Sequence, residues 1–191
     1  MTRHNVREQI VDAGLKTLLE KGFNACGVRD ITDAAGVPTG SFYNHFASKE
    51  ALGAEIVERY AQENSRRKAL RDKRLSPLER LRRHFDGLGQ MYADLDYGRG
   101  CLLGNFSAEL ADHSPLIRER LAALFASWTK DIEEAVRDAQ ADGTMSSKLD
   151  PADLAAFLLD AYEGALLRAR VEKSGAPLDR FMTIAFAHLL V

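Results

Sequence analysis

The chain has little cysteine: Cys26 and Cys101 are alone among 191 residues, and neither stands in a CxxC pair or at a Cys/His ligand spacing. That excludes a disulfide scaffold and a thiolate metal site, and it suits a reducing compartment. Long apolar runs are missing too. None approaches the roughly 18 residues of a spanning helix, and the N-terminal MTRHNVREQIVDAG lacks the apolar stretch of a secretory signal. A soluble, cytoplasmic protein with no membrane partner is expected. No segment alternates apolar and polar residues as a half-buried strand would. GxSxG, P-loop, HExxH and dinucleotide fingerprints are all absent, so no cofactor or metal is expected. Charge of one sign is also scarce. The net charge is −2, and residues 1–60 carry seven Lys or Arg against eight Asp or Glu. The usual basic footprint of a nucleic-acid binder is therefore lacking unless Arg3, Arg7, Arg29 and Lys49 gather on one face.

What is present is helical periodicity. Apolar positions recur at helical spacing almost everywhere, which predicts an all-α fold of about nine helices. The first runs from about Thr2 to Lys21, with Val6, Ile10, Ala13, Gly14 and Leu18 inward, and stops at Gly22; Phe23 then plugs a small core. The second covers about Gly27 to Ala35 and the third Thr39 to Phe46. A fourth is capped by Ser48, with Glu50 in its first turn, and runs on to Asp72. Ser76-Pro77 opens another. Gly98 and Gly100 precede a short helix in CLLGNFSAELAD, and Ser114-Pro115 starts a long one to Gln140 with Leu121, Leu124, Phe125, Trp128, Ile132 and Val136 at core spacing. The last two, about Pro151 to Lys173 and Pro177 to Val191, are joined by Ser174-Gly175-Ala176 and carry more apolar surface than one layer of contact uses. A symmetric helical dimer interface and an ordinary monomer core both fit that surplus.

The most informative run is TDAAGVPTGSFYNHFASKEAL, Thr32 to Leu52, which packs two short helices and a tight turn into a helix-turn-helix pattern. Ala34, Ala35 and Gly36 permit close helix approach, Pro38 suits a helix start, and Thr39 and Ser41 are able to cap open amides. Phe42 and Phe46 share one face at i and i+4, leaving the polar residues around them to face a groove. Thr39 and Asn44 are short enough to meet base edges, while Ser41, Tyr43, His45 and the Lys49 ammonium suit phosphate oxygens. Packing inside the small domain is the other reading of Tyr43 and His45.

The stretch AGVPTGSFYNHFASKEAL resembles the signature of TetR-family transcriptional repressors, in which the turn, the small residue before an aromatic, the Tyr-x-His-Phe core and a following Ser-Lys-Glu occur together. The resemblance extends over the chain and implies a DNA-binding domain at 1–47 and a helical ligand-binding and dimerisation domain at 48–191. It places Thr39, Gly40, Ser41, Tyr43, Asn44 and His45 on the helix in the major groove of double-stranded DNA, Gly40 allowing close approach, and Lys49 near the backbone. It further implies a homodimer through the last two helices, an inverted-repeat operator, and release by a small-molecule effector.

Residues 66–83 hold nine Lys or Arg and two acids, which reads either as a solvated helix face or as a second DNA patch. For sensing, Cys101 follows Arg99 and Gly100 at a helix start, where a cation and the helix dipole both favour thiolate. Cys101, Asn105 and Glu109 fall on one helical face. The segment GRGCLLGNFSAELAD resembles the matching stretch of TetR-like regulators that respond to acrylate, aldehydes or other small electrophiles. Phe106, Trp128 and Tyr162 are candidate pocket walls, with Phe125, Met91 and Tyr92 beside them; Glu163, Arg168 and Arg170 are candidate polar ends. Cys101 as a plain buried hydrophobe remains open. So do a helical partner-binding module without DNA affinity and a cysteine-dependent enzyme using Cys101 with His84, His113 or His188, although the spacing brings no base to the thiol.

Overall fold

The computed structural model describes residues 5–62 and 67–190, with the side chains of Ala61 and Gln62 left aside. Among them it is all-helical, with ten α-helices and no strand: α1 Val6–Lys21, α2 Val28–Ala35, α3 Thr39–Tyr43, α4 Lys49–Gln62, α5 Lys68–Arg71, α6 Pro77–Ala93, α7 Leu102–Leu110, α8 Pro115–Ala141, α9 Pro151–Glu172 and α10 Ala176–Ile184. A π-helical turn, Ala185–Leu189, continues α10, closed by the Leu190 amide donating to the Ala185 carbonyl at 2.9 Å.

The later expected starts hold where a side chain defines them. Ser76 caps α6 ahead of Pro77, Asp150 caps α9 ahead of Pro151, and Ser48 accepts from the Ala51 amide at 3.0 Å; α1, expected from about Thr2, instead begins at Val6 with Asn5 as its cap. Two further expectations are corrected. The third helix ends at Tyr43 rather than Phe46, because the Phe42 carbonyl takes both the His45 and Phe46 amides and the chain then leaves toward the Ser48 cap. The fourth does not carry on to Asp72 as one element: Lys68–Arg71 is a separate turn, begun at Arg67 with φ −102 and ψ 3. Residues 63–66 lie outside the described residues, as do Arg3 and Val191.

The chain divides into two compact units, residues 1–62 with 102–124 and residues 63–101 with 125–191. In the first, α1 packs on α2 and α4 around Ile10, Leu18, Ile31, Leu52 and Ile56, all fully buried. A Cβ on Gly14 would stand 3.0 Å from Ile56 and 3.1 Å from Leu52, so glycine sets the α1–α4 spacing. Gly36, at φ 67, closes α2 in the left-handed region and turns the chain toward α3. The Lys49 ammonium donates to the Phe23 and Cys26 carbonyls at 2.8 and 2.7 Å and lies over the Phe23 ring. From α7, Phe106 meets Phe23 edge to face, and Glu109 accepts from the Phe23 and Asn24 amides at 3.2 and 2.7 Å. Glu109 is therefore a capping group for the turn after α1, which corrects its expected place beside Cys101 and Asn105 on a pocket wall.

In the second unit, Phe85, Tyr162 and Phe181 form an aromatic triangle with centroids 5.0 to 5.4 Å apart. The Trp128 indole donates to His84 Nε2 at 2.9 Å. The basic run is held by its own acids. Arg67 and Arg71 pair with Asp131, Lys73 and Arg80 with Asp138, Arg74 with Asp72 and Arg83 with Glu79, while Arg82 lies over the Phe186 ring. Arg80 is 2% exposed and also donates to the Leu70 carbonyl, which ties α5 to α6. These contacts favour the helix-face reading of residues 67–83 over a second DNA patch.

Glu109 gives the first unit a specific test. Glu109→Ala strips the acceptor from two amides and is expected to destabilise the protein by about 1–3 kcal/mol, read as a lower urea midpoint at unchanged slope.

Candidate nucleic-acid interface and effector site

The helix-turn-helix is assembled from two opposed faces of one short segment. Inward, Phe42 is fully buried and Phe46 nearly so, their centroids 5.6 Å apart, with the Arg7 guanidinium 5.0 Å over Phe46. Outward, Thr39, Gly40, Tyr43, Asn44 and His45 are exposed and Ser41 is half-buried. Tyr43 is 61% exposed and meets Phe42 edge to face at 5.2 Å between centroids, so most of it stands open to water beside that one contact. Thr39 does not cap α3; its hydroxyl lies 3.2 Å from that of Thr32. Gly40 has open space where a Cβ would stand, so nothing within the described protein demands glycine there.

Electrostatics at this face differ from the bulk count. Residues Val37 to Ala47 contain no acid. The acids nearby in sequence are paired elsewhere: Glu55 forks onto Arg7, Glu8 and Asp12 meet Arg59, Asp30 takes Lys21 and the Gly27 amide, Glu50 takes the Ser114 hydroxyl and Glu58 takes Arg120. Hydrogen bonding from Lys21 and Gly27 holds the Asp30 carboxyl below the usual range. Arg7 serves Glu55 rather than an outward face, and Lys49 keeps one of its three N–H donors beyond its two carbonyl bonds. Arg29 is strongly exposed beside Asp33.

The candidate sensing residues separate between the units. Asn105 and Phe106 belong to the first; Cys101, Trp128, Tyr162, Glu163 and Arg168 belong to the second. Phe106 is fully buried against Phe23. Trp128 takes His84 as partner, and Tyr162 sits in the triangle with Phe85 and Phe181. Arg168 is exposed on α9, pairs with Glu172 at 2.5 Å and borders an apolar groove. Cys101 and Glu163 come together: Cys101 is buried, its side chain acts to lower the Glu163 pKa, and Glu163 Oε1 is buried without a hydrogen-bond partner. Burial raises the Glu163 pKa from 4.5 to about 7, the thiol contact only partly opposing it. Cys26, by contrast, is a core group, its pKa raised by burial. His113 and His188 are both exposed. No cluster of three metal-ligating side chains occurs among the described residues.

Sequence reasoning missed Phe85, Phe181 and the role of His84, since aromatics at helical spacing do not announce which neighbour they meet. It also missed Thr32, whose burial and side-chain bonds depend on the α2–α3 crossing.

A helix-turn-helix with an exposed, acid-free polar face, joined to a helical unit holding a buried thiol and carboxyl, defines a helical transcriptional regulator. The comparisons specify which one. Residues 10–56 match the model of the bacterial regulatory proteins of the tetR family, and residues 77–185 match the tetracyclin repressor-like C-terminal domain. The chain belongs to the TetR family. It is 39% identical to the HTH-type transcriptional repressor DhaR of Mycobacterium sp. (strain GP1) over 100% of this chain and 95% of that protein. It is 36% identical to the transcriptional regulator AcuR of Cereibacter sphaeroides over 91% of this chain and 80% of that one. The crystal structure of a regulatory protein TetR from Rhodobacter sphaeroides superposes with a TM-score of 0.88 at 35% identity, covering 96% of this chain and 98% of that one. Among the described residues no helix is long and apolar enough to cross a membrane.

The raised Glu163 pKa has a signed consequence. A carboxyl that ionises near 7 when folded and near 4.5 when unfolded binds more protons in the native state between those values, so stability falls as pH rises through that window. Above it the loss reaches about 3 kcal/mol. Glu163→Gln is expected to flatten that decline, making the variant more stable than wild type at pH 8 and little different at pH 4.5, measured by urea unfolding at both.

Proposed function

We propose that this chain is a transcriptional repressor that binds an inverted-repeat operator as a homodimer and is released by a small, electrophilic effector in the second unit. The observation that carries DNA binding is the exposed polar face of α3, fixed from behind by Phe42 and Phe46 and free of acids. On this reading Thr39 and Asn44 meet base edges; Ser41, Tyr43, His45 and the remaining Lys49 donor meet phosphates. Gly40, with no internal reason to be glycine, gives a base edge room.

The dimer reading rests on α9 and α10. Phe157, Leu167, Val171 and Ile184 are 56, 63, 78 and 53% exposed, and the groove of about 280 Å³ beside them is lined by Leu158, Ala161, Ala165, Phe181 and Leu189 among others. Four large apolar groups open to water on adjacent helices favour a second copy of the same face.

The effector reading rests on Cys101 and Glu163. An unsaturated carbonyl compound would form its S–C bond at Cys101, the thiol proton passing to Glu163 and then to the carbon alpha to the carbonyl. Cys101 is the last residue of the 63–101 stretch of the second unit and Leu102 opens α7, so one peptide bond joins the reacting residue to the helix whose Glu109 caps the turn before α2. Differential affinity for the DNA-competent and released states would follow from strain along that link. DhaR being named a repressor supports the sign of regulation.

The test is fluorescence anisotropy with duplexes flanking the chain's own gene, over nonspecific competitor, with and without acrylate-class compounds. Saturable binding lost on effector addition is expected; binding erased by competitor, followed by failure to enrich any sequence from random duplex, would overturn the reading. In the same assay Gly40→Ala should weaken operator binding at least tenfold while raising helix stability by up to about 1 kcal/mol. Separately, Val171→Asp with Leu167→Asp should convert a dimer to monomer in sedimentation, without loss of helicity.

A further inference from the structure

Thr32 is fully buried on α2, and its hydroxyl donates to the Arg29 carbonyl at 3.1 Å. The same oxygen lies 3.2 Å from the hydroxyl of Thr39, the first residue of α3. A threonine has one hydroxyl hydrogen, and a carbonyl only accepts. If Thr32 pointed its hydrogen at Thr39, its oxygen would face the Arg29 carbonyl with no proton between them. The arrangement that satisfies both contacts sends the Thr32 hydrogen to Arg29 and the Thr39 hydrogen to Thr32. Thr39, exposed at the start of the outward face, is then left with lone pairs alone to offer outward.

We infer that Thr39 acts as a hydrogen-bond acceptor for an exocyclic amino group of a base, and that Thr32 is the positioning residue that holds it in that form. The inference rests on the DNA-binding reading above and specifies what is read. In the major groove, amino donors are adenine N6 and cytosine N4; guanine O6, N7 and thymine O4 are acceptors, as are phosphate oxygens. An acceptor-only hydroxyl selects the first pair and is repelled by the second. The specificity at this position is therefore amino against carbonyl, and it is set by a residue buried behind the interface. Among the described residues no second side chain fixes the polar hydrogens of Ser41, Asn44 or His45 in this way, so the selectivity belongs to Thr39.

The experiment uses the full-length protein and the duplex enriched from a random pool. Adenines are replaced one at a time by purine and cytosines by 2-pyrimidinone, which delete only the exocyclic amino group. One position per half-site is expected at which deletion weakens wild type by about five- to tenfold, and at which Thr39→Val shows no further loss. Thr32→Val frees the Thr39 hydrogen and should let a carbonyl-bearing base be accepted there, whereas Thr32→Ser should keep the wild-type preference. Equal cost of every amino deletion in wild type and Thr39→Val would overturn the inference while leaving the regulator intact. So would an unchanged base preference in Thr32→Val. Should Thr32→Val not fold, the exposed Thr39→Val comparison decides alone. If wild type enriches no sequence at all, the DNA-binding reading fails and this inference falls with it.

Discussion

The α3 helix is five residues long, and a helix that short has no stability of its own. Its geometry depends on the burial of Phe42 and Phe46 behind it. Together those rings place two anchors four residues apart, which is one helical turn, so the rotation of the outward residues between and around them is set chiefly from behind, with the Thr39 hydroxyl held in addition by Thr32. Other features of the first unit serve this constraint. Gly14 lets α1 and α4 close on each other, Lys49 ties the start of α4 to the carbonyls of Phe23 and Cys26, and Glu109 ties α7 to the amides beside them. The surface proposed to face DNA is thus the free side of a tightly determined core.

Net charge misleads here because charge acts locally. Acids outnumber bases over residues 1–60 by eight to seven, yet the acids sit on α1, α2 and α4 in pairs and caps, leaving the outer face of α3 without any. At about 0.15 M salt, interactions beyond roughly 8 Å between exposed charges are largely screened. A phosphate would therefore respond to Lys49, Arg29 and the polar groups of α3 rather than to the sum over the unit. The same logic applied to residues 67–83 gives the opposite result, since six of its eight Lys and Arg side chains are paired with Asp131, Asp138, Asp72 and Glu79.

The later helix starts were legible because Ser and Asp caps and N1 prolines are local chemistry, readable without knowing the fold. Phe42 and Phe46 as anchors were legible for the same reason: their spacing alone puts them on one face. What escaped was everything decided by a partner distant in sequence. Glu109 shares a helical face with Cys101 by count, yet its carboxylate is claimed by amides 85 and 86 residues away. Phe106 looked like a pocket wall, and Phe23 holds it. The end of α3 was misjudged because three further residues fit the helical pattern, while the cap of α4 required an extended chain sooner. The sequence neighbours of Cys101, Arg99 and Gly100, do not point to Glu163, 62 positions on, which is the carboxyl whose pKa its side chain lowers.

A buried carboxyl oxygen without a partner is costly, and the described structure keeps one in the second unit at Glu163. Leaving such an atom unsatisfied forfeits about 1–3 kcal/mol, which a bound group supplying a donor would recover. Typical coupling between two sites is of that same size. The match bears on the proposed switch, because an effector changes DNA affinity only by as much as it distinguishes two states. A site already strained by one unmet hydrogen bond offers that difference without large rearrangement of an aromatic core built from Phe85, Tyr162 and Phe181. The contribution of Glu163 to stability is greatest where it is protonated and least where it is ionised, so the group most able to answer a ligand is also one that holds the folded state back at neutral pH and above.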